Sequence, residues 1–278
     1  MEKEKKKRKL ISESKHKKRD LSVYIIIRTL VILTLIIQII HKSWESVFIC
    51  GLTLILLLIP SIVEKKLNIE LPKLLEAIIL IFIFSAEILG EIQNFYGIIP
   101  YWDTMLHTIN GFIMAGVGFS LIDILNERKI FSIELTPIFV AIVAFSFSMM
   151  IGVMWEFFEY TSDQVLWTDM QKDRIVRDIS SVKLNEKNEN KPVIIENIEK
   201  TVIIGEVNGE KQEVVVEGGL LDIGIIDTMK DLEVNFLGAV VFSILGYIYI
   251  KQRGKGNFIK NFIPRLKHHS HAEKSAEE

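Results

Sequence analysis

The sequence predicts an all-α integral membrane protein: a six-span transmembrane helix bundle with a small extracytoplasmic β-hairpin insertion. Three observations carry that prediction. Hydrophobic residues make up 49% of 278 positions and charged residues 24%, with a mean hydropathy of +0.32. In a soluble domain these classes interleave, whereas here they separate into apolar blocks of about 18–25 residues. Lys and Arg then gather in alternate connecting segments. Finally, one long connection carries an Asn-Gly turn between two alternating strands. The net charge of −2 specifies no partner, because opposite charges occupy different segments.

Residues 1–20 form a basic cytoplasmic tail, with ten Lys/Arg against four Asp/Glu. The first span, Leu21–Ile40, follows directly. A secretory signal has an apolar region of about 7–15 residues and a small-residue cleavage site, so this segment reads as an uncleaved span. Four more follow, at Trp44–Val63, Leu74–Gly90, Trp102–Ile124 and Pro137–Tyr160, and the sixth is Val234–Ile250. At about 1.5 Å per residue, about twenty residues cover a hydrocarbon layer of roughly 30 Å. Pro60, Pro72, Pro100 and Pro137 fall near span ends, where a missing backbone donor costs least. The expected division is 1–20 tail, 21–163 spans one to five, 164–226 insertion, 227–250 span six, and 251–278 tail.

Orientation follows from the basic residues. With a cytoplasmic N-terminus, segments 1–20, 64–74, 125–134 and 251–278 carry 22 Lys/Arg, and the short outer loops 41–45 and 90–101 carry one. Both termini are therefore expected inside, and Trp44, Trp102, Trp155 and Trp167 then fall near the outer boundary as an aromatic belt. The remaining outer segment is acidic, with 16 acidic and 9 basic residues over 163–233. Within it, Thr201–Val207, Asn208-Gly209 and Lys211–Glu217 read as a hairpin with a type I′ turn, and Val193–Ile195 as a third strand. The lone cysteine, Cys50, excludes an intrachain disulfide.

Ionisable residues inside spans cost about 2.5–3.5 kcal/mol each on insertion scales, so their placement is informative. Span four begins Trp102-Asp-Thr-Met-Leu-His107, which sets Asp103 and His107 four apart on one helix face. Span five ends Trp155-Glu-Phe-Phe-Glu159, with Glu156 and Glu159 three apart. Asp227, Asp231 and Asn235 recur every four residues into span six, and Gly238 lies next below. In the predicted topology all three motifs reach the outer leaflet, gathering five carboxylates and a histidine at one depth. Such a group cannot be dry, ionised and unpaired. A divalent metal ion, shared protons or a hydrated network each resolves it. The first suits Asp/Glu/His ligands, the second acid/base chemistry or proton-coupled transport, the third a structural role.

The ordered motifs Asp103-x3-His107, Gly152-x3-Glu156-x2-Glu159 and Asp227-x3-Asp231-x3-Asn235-x2-Gly238-Ala239 resemble those of VanZ-like membrane proteins. The paired glutamates and double aspartate look closer to the related YjdF-like branch. The resemblance covers roughly residues 95–250 and implies a bacterial, multi-pass cytoplasmic-membrane protein. VanZ-like proteins are associated with low-level glycopeptide resistance, and no catalytic mechanism accompanies the resemblance. Glu159 stands where glutamine is more usual, and 172–221 looks like an insertion.

The expectation is a membrane-embedded site that binds or acts on an envelope lipid or cell-wall ligand. Asp103, His107, Glu156, Glu159, Asp227 and Asp231 supply metal ligands or acid/base groups, and Asn235 orients them. Its alternatives are a proton- or cation-coupled transporter using the same acids, and a non-catalytic envelope factor in which they are structural. Arg28 either snorkels to the cytoplasmic face or pairs with Glu87, and Glu87 and Glu91 are candidates to join the outer cluster. Asn110, Ser120 and Asp123 read as polar groups of helix contacts or boundaries. The basic termini fit anionic lipid headgroups. No recognition motif accompanies the charge to suggest nucleic acid. His268, His269 and His271 read as part of a polar tail.

Overall fold

A computed structural model of the chain describes residues 23–127, 135–187, 189–252 and 258–266. The basic segment 1–20, most of the connection 125–134, and the tail with its three histidines lie outside the described residues, as does the side chain of Asp123. Among the described residues, five helices are long and apolar enough to cross a membrane: Val23–Ile40, Trp44–Lys66, Trp102–Ile122, Pro137–Leu166 and Ile225–Lys251. The chain divides into two compact units, one of Met1–Gly152 with Val234–Glu278, the other of Val153–Glu233.

The first unit opens with α1 (Val23–Ile40). Arg28 lies exposed on it and donates from Nη1 to the Tyr24 hydroxyl at 2.7 Å, its guanidinium lying over the same ring. The arginine thus meets a hydroxyl one turn nearer the N-terminus, the direction that snorkelling requires. The second predicted span is built from α2 (Trp44–Leu56) and α3 (Ile59–Leu67). Pro60 occupies the first turn of α3, where its missing N–H leaves no helical bond unmade. Asn68, at φ 52°, ends α3 in the left-handed conformation, behind Lys65 and Lys66 in the last turn. The two-residue strand β1 (Ile69–Glu70) pairs antiparallel with β8 (Arg265–Leu266).

The third predicted span differs from a plain α-helix. It consists of α4 (Lys73–Phe84, 12 residues) continued by eight residues of π-helix, Ser85–Ile92. Glu87 and Glu91 both lie in that π-helix, a geometry often found at functional sites. A short α5 (Phe95–Ile98) leads to α6 (Trp102–Glu127). Two apolar clusters hold the unit together. One joins Ile27 and Val31 of α1 to Cys50, Leu57, Leu80 and Ile88. The other packs Phe119 of α6 and Phe242 of α8 (Ile225–Lys251) with Leu75, Ala144 of α7 (Pro137–Leu166) and Phe262. Phe112 meets Phe242 and Phe262 edge to face, with centroids 5.0 and 5.1 Å away. Many large apolar side chains instead face outward, including Ile25, Ile26, Ile36 and Ile40 on α1. That distribution suits lipid-facing helices, which gain nothing by hiding hydrocarbon from hydrocarbon.

The second unit holds the last turns of α7, the first turns of α8, and six strands between them. The pairs are β2 (Arg174–Val176) with β7 (Leu220–Asp222), β3 (Ile179–Ser181) with β4 (Val193–Ile195), and β5 (Lys200–Val207) with β6 (Glu210–Glu217). All are antiparallel. Val193–Ile195 is thus a strand, but its partner is Ile179–Ser181 rather than the hairpin. The connection from β3 to β4 spans only 182–192, and its short 3₁₀ turn, Val182–Leu184, returns the chain locally. Asn208 and Gly209 both take positive φ, 54° and 82°, as a type I′ turn requires. In the last turn of α7, the Asp163 carboxylate accepts the Thr168 hydroxyl at 2.7 Å and the Met170 and Gln171 N–H groups at 2.7 and 2.9 Å. One side chain thereby fixes the exit from a 30-residue helix.

Candidate functional site

The site residues divide between the units. In the first, α6 positions Asp103 and His107 one turn apart. His107 Nε2 lies 3.4 Å from Asp103 Oδ1, and the histidine is buried while the aspartate is half-buried. The i,i+4 spacing alone sets this approach. A buried imidazole against a carboxylate can hold a proton between them or present nitrogen and oxygen to one cation.

Below this pair, Asn235 forms the polar centre of a three-helix contact. Its Oδ1 accepts from Asn110 Nδ2 at 3.3 Å, and its Nδ2 approaches the Ser148 carbonyl at 3.5 Å. Ser148 Oγ donates to the Gly111 carbonyl at 2.7 Å. The backbones close in around it because glycines lie where they meet. A Cβ at Gly111 would collide with the Asn235 carbonyl, and one at Gly238 with that of Thr108. A Cβ at Gly152 would stand 2.7 Å from the Asn235 amide nitrogen. Asn235 and Asn110 are thus polar glue between helices. Ser120 bonds its own helix, donating to the Gly116 carbonyl at 2.7 Å.

In the second unit, Glu156 and Glu159 are both buried on α7. Glu159 Oε1 accepts the indole N–H of Trp155 at 2.7 Å. Asp227 and Asp231 are buried one turn apart on α8, at 2% and 1% exposure. Both Asp227 oxygens have partners: Oδ2 accepts the Lys172 backbone N–H at 2.9 Å, and Oδ1 meets Arg174 Nη2 at 2.8 Å. Gln171 also donates to the Thr228 hydroxyl. Asp222 Oδ2 accepts the Ile226 N–H at 2.9 Å, capping the start of α8. The segment 171–174 is therefore clamped to the first turns of α8.

Arg174 was not among the expected site residues. It is the cation that compensates Asp227, and its distance of 53 residues in sequence gave no pattern by which to find it. The Trp155–Glu159 bond, by contrast, spans four residues on one helix and was legible in principle. Outside the helices, partial burial and then the negative charges of Asp169, Asp163 and Asp222 hold the Asp173 carboxyl above its ordinary value.

A family model described as "Predicted membrane protein (DUF2238)" matches residues 23–180. That range includes the Asp103–His107 and Glu156–Glu159 motifs and stops before Asp227. An "Uncharacterized protein" of Thermotoga maritima is 28% identical over 107 residues, which are 38% of this chain and 53% of that protein. The chain thus spans about half the length of the curated relative it matches. No solved structure matches the chain.

Proposed function

Because the chain belongs to the DUF2238 family of predicted membrane proteins, we propose that it is a six-span protein of the bacterial cytoplasmic membrane, with both termini inside and a carboxylate–histidine site in the outer leaflet. The site binds or acts on an envelope lipid or cell-wall-related ligand. Asp103, His107 and Asp231 offer the oxygen, nitrogen and oxygen donors of a divalent-metal set. Glu156 and Glu159 supply acid/base groups, and Asp227 serves as an anchor through Arg174.

The observation that carries this reading is the meeting of α6, α7 and α8 around Asn235. There, Asn235 meets Gly111 and Gly246 meets Phe119, so α6 and α8 run the same way. Gly152 meets Asn235 and Phe147 meets Gly118, so α7 runs the other way. On each of these helices a site residue lies four positions from the contact, about 6 Å of helical rise: His107 from Gly111, Glu156 from Gly152 and Asp231 from Asn235. Helix phase is what supports gathering them into one cluster. The VanZ-like motif order is what points to an envelope ligand. Transport ranks second, because the buried side chains beyond Asn235 are apolar or hydroxyl, Phe119, Phe242, Ser120 and Ser243 among them.

The test is metal content in detergent-purified full-length protein carrying His268, His269 and His271 replaced by Ala. Near-stoichiometric metal, lost in both His107→Ala and Asp231→Asn, is the expected result. Equal metal in all samples, or none in any, would sink the metal set.

A further inference from the structure

The β5–β6 hairpin has eight residue pairs, from Lys200↔Glu217 to Val207↔Glu210. Its two-residue turn makes Val207↔Glu210 the closing hydrogen-bonded pair. Bonding then alternates along the ladder, so Gln212, Val214 and Val216 turn their N–H and C=O groups toward β5. Lys211, Glu213, Val215 and Glu217 turn theirs outward, and no other described strand pairs with that edge. Both faces are apolar at mid-length. Val202 and Val215 share one, Ile203 and Val214 the other, and all four are more than 40% exposed. A long edge with valines on both faces is a template for strand addition.

We propose that the β6 edge pairs antiparallel with β6 of a second copy of this chain, giving a four-stranded sheet with Val214 at the two-fold axis. Charge complementarity selects both partner and register. A two-fold across an antiparallel pair sets some residue opposite itself. Centring on Glu213 opposes two glutamates, and centring on Val215 sets Glu213 against Glu217. Centring on Val214 sets Lys211 against Glu217 twice, Glu213 against Val215 and Gln212 against Val216. A centre on Gln212 also sets Lys211 against Glu213 with no like pair, but it overlaps only residues 210–214, whereas the Val214 register overlaps 211–217; like charges directly opposite are destabilising. The Val214 register also brings together the residues whose backbone groups face outward. The β5 edge has a comparable match, Lys200 to Glu206 about Ile203, but its first residues are engaged: Thr201 Oγ donates to the Gly219 carbonyl at 2.9 Å.

The test is disulfide trapping of full-length protein in native membranes, in a Cys50→Ala background. Val214 lies at a non-hydrogen-bonded pair, where Cα atoms approach to about 4.5 Å, within disulfide range. Val214→Cys should give a reducible dimer under mild oxidant. Adding Lys211→Glu should lower its yield severalfold, and Lys211→Glu with Glu217→Lys should restore it. Light scattering on the detergent-purified full chain should show a dimer that Lys211→Glu makes monomeric. Monomeric wild type, trapping insensitive to charge reversal, or trapping through Ile203→Cys in place of Val214→Cys would each overturn the proposal.

Discussion

Arg174 Nη2 and Asp227 Oδ1 lie 2.8 Å apart, with the arginine side chain 42% exposed and the aspartate 2%. The acid is sealed in the first turns of α8 while its counter-ion reaches in from β2. Replacing Arg174 by Gln leaves the buried carboxylate without its cation. We expect a loss of about 1–3 kcal/mol and faster proteolysis between residues 167 and 224. Helix content by circular dichroism should be unchanged, because α8 keeps its Asp222 cap. A protease pattern identical to wild type would count against the clamp.

The Gly111 contact predicts a contrast between two helix glycines. Gly111→Ala drives a Cβ into the Asn235 carbonyl, whereas a Cβ at Gly51 meets nothing within 4 Å. Gly111→Ala should therefore destabilise the detergent-solubilised protein by about 1–3 kcal/mol. Gly51→Ala should be neutral or stabilise by up to about 1 kcal/mol, from helix propensity alone. Thermal midpoints of the two variants check this.

Asp173 predicts a pH dependence of defined sign. Its folded carboxyl titrates above the ordinary value of 3.8, so the folded state holds that proton longer than the unfolded one. Stability therefore falls as pH rises from the ordinary aspartate range through the folded value, and the penalty is complete above it. Asp173→Asn should abolish this component and stabilise at neutral pH by only about 0.2–0.5 kcal/mol, because the group is exposed and screened. The gap between mutant and wild-type midpoints should open with rising pH and shrink in high salt.

The proposed metal set predicts a thermal shift. A divalent ion at about one hundred times its Kd adds about 2.7 kcal/mol of stability. Chelator-treated protein should regain that stability on adding the ion, and His107→Ala should not respond. An equal rise in mutant and wild type would place the ion elsewhere.

Local chemistry was legible and distant chemistry was not. The Asn-Gly pair located the hairpin to within a residue or so, because its φ requirements are local. The Asp103–His107 approach followed from helix period for the same reason. Arg174 meeting Asp227 could not be read, since that pairing depends on how the chain between α7 and α8 is tied down. The third strand was recognised without its partner, Ile179–Ser181, because β composition marks a strand without naming its neighbour. The apolar run after Lys73 predicted a span without revealing its π-helical half, because hydropathy is indifferent to the winding of a buried helix.

The π-helix between Ser85 and Ile92 has a consequence for relatives of this chain. Bonds from i to i+5 let a helix hold an additional residue without breaking. A relative one residue shorter here would wind as ordinary α-helix between the same ends. Side chains on either side of the π turns would keep their bearings, and only those wound between Ser85 and Ile92, Glu87 and Glu91 among them, would be re-set. Loss or gain of a single codon in this stretch would re-aim the acids of this helix together with Ile88, which packs in the core beside Leu80.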